Sequence, residues 1–274
     1  MSSRGTSSDS TSAIIFSKDR PLQLHALLSS FCFHVRGISD LYILYHCSTE
    51  EYGDAYKKLV SQFSEFTFVR ESSFHNDTLG LLNRIRGRKL FFLVDDIIFI
   101  DEFNVAAIQN IDLRSYVVSL RLHPKVTYSY MLKRSEKPPH FSQKYDSLLE
   151  FDWSLGEVDW AYPLSVDGHI FEALEIRRLI KRSRFYAPNS LEASLQRFTK
   201  KIAIRKKGLC FTTPKIINFP INRVQTEYNN AAGNTDPREF LRLFNEGFRV
   251  DFLRYQGQIF NAVHVETDLP LVKR

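Results

Sequence analysis

Two adjacent carboxylates, Asp95 and Asp96, stand where the chain is otherwise apolar. Leu90-Phe91-Phe92-Leu93-Val94 precedes them and Ile97-Ile98-Phe99-Ile100 follows. Acids inside such a stretch are costly to bury unless each finds a partner. Their hard oxygens suit Mg²⁺ or Mn²⁺, which bind through one or two carboxylates and complete their shells with phosphate oxygens. An acidic turn, or a salt-bridged pair, is the alternative. A second polar cluster, Ser17-Lys18-Asp19-Arg20, follows the short apolar run Ala13-Ile14-Ile15-Phe16. Further along, Asp167 precedes Gly168 at the start of a stretch with helical spacing, where an Asp is a good N-terminal cap. Asp159 is a second candidate carboxylate in that region. The two tryptophans, Trp153 and Trp160, each follow an Asp. Such a pair can stack on a sugar ring and bond its hydroxyls, or the indoles can simply fill the core.

The elements that must position these residues alternate. Ala13–Phe16 is predicted as a buried strand, and Pro21 suits the first turn of the helix that Leu22, Leu24, Leu27, Leu28 and Phe31 then define. Strands follow at Leu41–Tyr45, Phe66–Val69 and Leu90–Val94, with helices at Glu50–Phe63 and Thr78–Arg86 between them. Strand–helix alternation implies a parallel sheet covered by helices, with ligands at the carboxyl ends of its strands. Both polar clusters fall at such ends. Beyond Asp101 the pattern loosens. Glu102–Asn110 is predicted as a short helix, Val117–Leu122 as a strand, and Lys133–Ser147 as a loop or flap around Pro138-Pro139. Helices are predicted over Ile170–Ser183, Ser190–Thr199 and Arg238–Glu246, with strands at Leu209–Phe211 and Ile216–Phe219. Glu227–Asp236 is polar and expected to be mobile. Met1–Ser12 is rich in Ser, Thr and Gly and reads as a disordered tail. Residues 13–274 read as one domain, without a clean linker.

Leu93-Val94-Asp95-Asp96-Ile97-Ile98-Phe99 resembles the DxD-type motif of GT-A glycosyltransferases in a family-2-like variant with adjacent acids. Ala13-Ile14-Ile15-Phe16-Ser17-Lys18-Asp19-Arg20-Pro21 is similar to the first strand and loop of the same fold, which cups the nucleotide. The resemblance covers about residues 13–99 well and the remainder loosely. It implies a Rossmann-like α/β fold with a mixed, mostly parallel sheet flanked by helices. Residues 13–110 would form the nucleotide-sugar half and residues 111–274 the acceptor half. Phe16, Ser17 and Arg20 would sit at the nucleotide, Asp95 at the ribose or the metal, and Asp96 at the metal. Val-Asp-Asp here stands where many members have D-x-D, so the split of roles between the two acids stays open. Inverting members place a carboxylate base at a helix start, and Asp167 is the best match, with Asp159 second. A C-terminal His closes the metal site of some members, and His264 resembles it in position. His169 is a further candidate on the acceptor side. The implied activity is metal-dependent transfer of a sugar from an NDP-sugar, UDP by default, to a hydroxyl of a glycan or glycoconjugate.

Rival activities lack their motifs. The turn after the first strand has no glycine, against a Rossmann dehydrogenase, and neither a P-loop nor a G-x-S-x-G elbow occurs. A sugar nucleotidyltransferase, or a non-catalytic carbohydrate- or nucleotide-binding module on a transferase-like fold, remains as an alternative. Composition agrees with a globular protein: 274 residues, 43% hydrophobic, 25% charged, net charge +6. That charge helps to attract a diphosphate or an anionic surface and is too small to argue for nucleic acid alone. Basic residues concentrate at Arg177–Arg184 and Arg197–Lys207, as a solvated face or as an edge for an acidic partner. Cys32, Cys47 and Cys210 form no metal or disulfide motif. With no long apolar run and no signal-like N-terminus, cytoplasmic work is expected, with room for association at a membrane surface.

Overall fold

The computed structural model of the chain describes residues 10–221 and 236–273. The first half alternates as expected: β1 (Thr11–Lys18), α1 (Pro21–His34), β2 (Asp40–His46), α2 (Glu50–Gln62), β3 (Thr67–Arg70), α3 (Phe74–Arg84) and β4 (Lys89–Val94). A short strand β5 (Ile97–Phe99) follows the acidic pair. Then come β6 (Tyr116–Ser119), β7 (Ser142–Tyr145), β8 (Leu148–Phe151) and β9 (His169–Glu172). Helices α4 (Ala173–Lys181), α5 (Pro188–Leu195) and α6 (Thr199–Arg205) lead to β10 (Lys207–Phe211) and β11 (Ile216–Asn218). The chain closes with α7 (Pro237–Asn245), β12 (Phe248–Val250) and β13 (Leu271–Lys273).

Nine strands form the central sheet, in the order β7-β8-β10-β6-β9-β4-β1-β2-β3. The strands β4, β1, β2 and β3 run parallel. Within β1, Ala13 and Ile15 face one core, with α1, α2 and α7, while Ile14 and Phe16 face the other, with α3 to α6. Alternation of side chains along a strand makes this split, and helices on both faces explain why the strand reads as continuously apolar.

β9 breaks the pattern. It pairs antiparallel with β4 on one side and β6 on the other, so its first residue lies at the carboxyl ends of its neighbours. The helix predicted over Ile170–Ser183 therefore begins only at Ala173. Ile170 is fully buried between two strands, and the sheet's unfilled hydrogen bonds override the local helical pattern. Three other expectations also change. The predicted tail extended to Ser12, but Thr11 and Ser12 already belong to β1, paired with Lys89, Leu90 and Asp40; residues 1–9 lie outside the described residues. The helix predicted at Glu102–Asn110 is a single 3₁₀ turn, Val105–Ile108. The predicted flap at Lys133–Ser147 contains β7, the outermost strand of the main sheet. Most of the Glu227–Asp236 stretch expected to be mobile lies outside the described residues.

Candidate functional site

The carboxyl ends of β1, β4 and β6 and the start of β9 open into one cavity of about 680 Å³. Phe16, Ser17, Arg20, Asp95, Asp96, Asp159, Asp167 and His264 all line it. These candidate residues are thus brought to the same place, from segments as distant as residues 16 and 264, while His169 does not line the cavity.

The loop after β1 is held rigidly. Asp19 has φ +53°, a left-handed turn that Asp tolerates through local hydrogen bonds. Its carboxylate accepts from the Ser48 amide at 2.8 Å and the Ser48 hydroxyl at 2.5 Å, tying the loop to the end of β2. Ser17 Oγ lies 2.5 Å from the buried Tyr56 hydroxyl. Burial and the charge of Asp95 raise the Tyr56 pKa well above its ordinary value, so this group stays a neutral hydrogen-bonding post.

Asp95 locks onto that loop. Its Oδ2 accepts from Ser17 Oγ at 2.9 Å and from the Lys18 amide at 3.1 Å, and its Oδ1 accepts from Arg20 Nη1 at 2.9 Å. The same Arg20 nitrogen donates to Asp96 Oδ2 at 3.0 Å. The salt-bridged alternative is therefore present in part. Asp96 Oδ1, though, is buried and has no hydrogen-bond partner among the described residues. Burial pushes the Asp96 carboxyl up to about 6; Arg20 pulls it back, while Asp95 and Asp167 add to the rise.

Asp167 reaches the cavity because β9 is antiparallel. The Gly168 amide donates to the Phe92 carbonyl at 2.8 Å, which sets Asp167 beside the end of β4. Gly168 has φ +76°, which turns the chain into the strand. Asp167 thus lies in the bend just before a strand rather than capping a helix. Its Oδ2 lies 3.6 Å from Arg121 Nη1 and 3.5 Å from His264 Nε2. Burial alone would raise its pKa, but the hydrogen bond from His264 and the charge of Arg121 hold it below the ordinary carboxylate value. Asp159 meets the same guanidinium, 3.4 Å from Arg121 Nη2. Its amide donates to Glu136 at 3.0 Å. Burial, with the charge of Asp159, pushes Glu136 up to about 8.

His264 comes from the C-terminal segment. β11 pairs with β5, and Asn218 then bridges to His264, with the Val265 amide donating to Asn218 at 2.9 Å. His169 does not line the cavity: it is fully buried, and its Nδ1 lies 3.2 Å from the Pro163 carbonyl oxygen. Burial drives it down to about 3. Both tryptophans fill the core, where Phe151 packs edge-on against each ring.

Among the cavity residues that escaped the sequence reading, Arg121 and Glu192 stand out for their charge. Arg121 is almost fully buried just beyond β6, in the apolar run Val117–Leu122. A charge interrupting an apolar run at a strand end was the signal, the same one that marked Asp95 and Asp96. Glu192 lies in α5 and accepts from Ser165 Oγ at 2.8 Å and from the Val166 amide at 2.9 Å. Burial and the nearby charge of Asp167 raise it to about 7, against the pull of Arg121.

Among the described residues, no three His, Cys, Asp or Glu side chains converge as a metal cluster. Asp96 with its open oxygen and His264 line the same cavity and would be the donors to a bound cation. This fits a Mg²⁺ or Mn²⁺ that takes most of its ligands from phosphates and water, and it is too sparse for a cation held by protein alone.

No protein-family model matches the chain. The bifunctional glycosyltransferase pgtA of Dictyostelium discoideum is 23% identical over an alignment of 259 residues, covering 79% of this chain and 32% of that protein. The chain thus spans about a third of the length of this curated relative. Residues 1–349 of S. aureus TarS in complex with UDP-GlcNAc superpose with a TM-score of 0.52 at 14% identity, covering 84% of this chain and 63% of that one. The same TarS segment in complex with UDP gives a TM-score of 0.47 at 14% identity, covering 84% of this chain and 62% of that one. The fold is shared with TarS across most of this chain.

Proposed function

From this GT-A glycosyltransferase fold, we propose that the chain transfers a sugar from a nucleoside-diphosphate sugar, with UDP as the first choice, to a hydroxyl of a glycan or glycoconjugate. One observation carries the proposal. The acidic end of β4, the loop after β1 and the carboxylate at the start of β9 share a single cavity of about 680 Å³, large enough for a nucleotide-sugar. The sequence likeness to pgtA, a glycosyltransferase, supports sugar transfer, and the fold shared with TarS, solved in complex with UDP-GlcNAc, supports a UDP-sugar donor.

In this reading Phe16, Ser17 and Arg20 receive the nucleotide, and Asp95 holds their loop in shape. Asp96 and His264 would hold a divalent cation, which when bound neutralises the departing diphosphate. Asp167, kept ionised by Arg121, accepts the proton of the acceptor hydroxyl as that oxygen attacks the anomeric carbon. A single displacement of this kind inverts the anomeric configuration. Glu192, raised to about 7, is the second carboxylate able to take that proton.

A thermal-shift screen of nucleotides and nucleotide-sugars, with and without Mn²⁺, tests the proposal. A metal-dependent shift with one NDP-sugar, followed by transfer from that donor, is the expected result. No shift with any nucleotide, in protein shown to be folded, would move the function to a carbohydrate-binding module.

A further inference from the structure

The outer face of α4 and α6 is basic, and aliphatic side chains stand out of it. From residue 173 to residue 207 the only acids are Glu175 and Glu192, and neither is exposed. Glu175 pairs with Arg205 at 3.3 Å and with Lys206, while Glu192 turns into the cavity. The same stretch exposes Arg178, Lys181, Arg182, Lys200, Lys201 and Arg205. Helical geometry gathers them into stripes: Leu174, Arg178 and Lys181 along α4, and Lys200 with Ile204 and Lys201 with Arg205 along α6.

Glu175 of α4 bonds Arg205 of α6, and Ile176 and Leu179 of α4 line one small pocket with Ile202 of α6. Arg182 and Arg197 also converge on the Phe198 ring, at 5.9 and 4.6 Å. Ile176, Ile180 and Ile202 pack into one core on one side of the sheet, so the exposed stripes face outward together. Among these bases Leu174 is 47% and Ile204 70% exposed.

The occupant follows from this combination. A second copy of the chain, itself carrying a net charge of +6, would set like charges against each other at this face. A nucleic acid would engage the bases but gives Leu174 and Ile204 no apolar surroundings. An anionic bilayer takes both, with the bases at its phosphates and the aliphatic side chains at the acyl boundary. We propose that the α4–α6 face docks the protein peripherally on an anionic lipid bilayer. Beyond the end of α4, Arg184 is exposed, and Tyr186, 63% exposed, lines the cavity. The proposal stands independently of the transferase assignment.

The full chain is mixed with vesicles of phosphatidylcholine alone and of phosphatidylcholine with phosphatidylglycerol, and binding is read by co-sedimentation. Expected is binding to the anionic vesicles only, weakening as salt rises. Each basic residue at a membrane surface is worth about a five-fold change in partition, so K200E/K201E should lower binding by at least about ten-fold. I204S should weaken binding while leaving its salt dependence unchanged. Equal binding to neutral vesicles, or wild-type binding by these variants, overturns the proposal. So does duplex DNA or RNA that outcompetes the vesicles and binds wild type and I204S alike. Circular dichroism melting checks each variant's fold. If K200E/K201E does not fold, R178E/K181E on α4 makes the same comparison.

Discussion

Asp95 and Asp96 are neighbours in sequence with opposite environments. Asp95 spends both oxygens on Ser17, Lys18 and Arg20, whereas Asp96 keeps Oδ1 open. Asp96→Ala should therefore abolish metal-dependent donor binding, read by calorimetry, with little change in melting temperature; retained metal-dependent affinity would remove the cation from this residue. Asp167→Asn keeps the shape and removes the base. Transfer should fall by about 10²- to 10⁴-fold while donor affinity holds. Unchanged turnover would hand the role to Glu192. Glu136 provides a test that does not depend on activity. Its folded pKa is about 8 against an ordinary value of 4.5, so the folded state retains a proton that the unfolded chain gives up between those values. The stability this contributes is complete below the lower value and is lost as pH rises through the upper one. Glu136→Gln should melt higher than wild type by about 2 °C or more at about pH 9, with the advantage gone near pH 5. An advantage that does not vary with pH would mean that Glu136 is not the buried titrating group.

At the scale of elements, the antiparallel strand β9 decides the site. It delivers Asp167 to the edge where β4 delivers Asp95 and Asp96. Gly168 makes the turn with φ +76°, and an added Cβ would come within 2.1 Å of Ile216 Cδ1. Gly168→Ala should cost about 1–3 kcal/mol in urea unfolding and disturb the cavity; an unaffected midpoint would show that the turn relaxes freely. The element scale also explains what was legible in the sequence. The parallel half was readable because its strands are apolar runs between helices of ordinary period. Asp95 and Asp96 were readable because nothing else polar interrupts their run. β9 was not, because Ile170, Ala173, Ile176 and Ile180 fall on one helical face, and only the two strands flanking β9 make its first residues extended. Asp167 was accordingly placed beside the right cavity through an element that does not exist there. Arg121 and Glu192 were missed because a single charge in a short run is ambiguous until the fold shows which way it points.

At the scale of the whole molecule, a donor that binds only the folded state raises its stability by mass action. At one hundred times its Kd this is about 2.7 kcal/mol, or roughly a 5–10 °C rise in melting temperature for a chain of this size. A much smaller rise at saturation would mean that the ligand also binds the unfolded chain or that the molecule does not melt as one unit. The sheet argues for one unit. The first half ends its strands at β4, and the strand that covers β4 is β9, from the second half. A chain cut near residue 110 would leave Leu90-Phe91-Phe92-Leu93-Val94 as a bare sheet edge, apolar on both faces, and such edges recruit one another. The fragment should aggregate, and light scattering during its refolding would reveal it. During synthesis the same edge is made long before residues 169–172 emerge to cover it. The strand that completes the cavity therefore also closes an edge that every nascent chain leaves bare until that strand emerges.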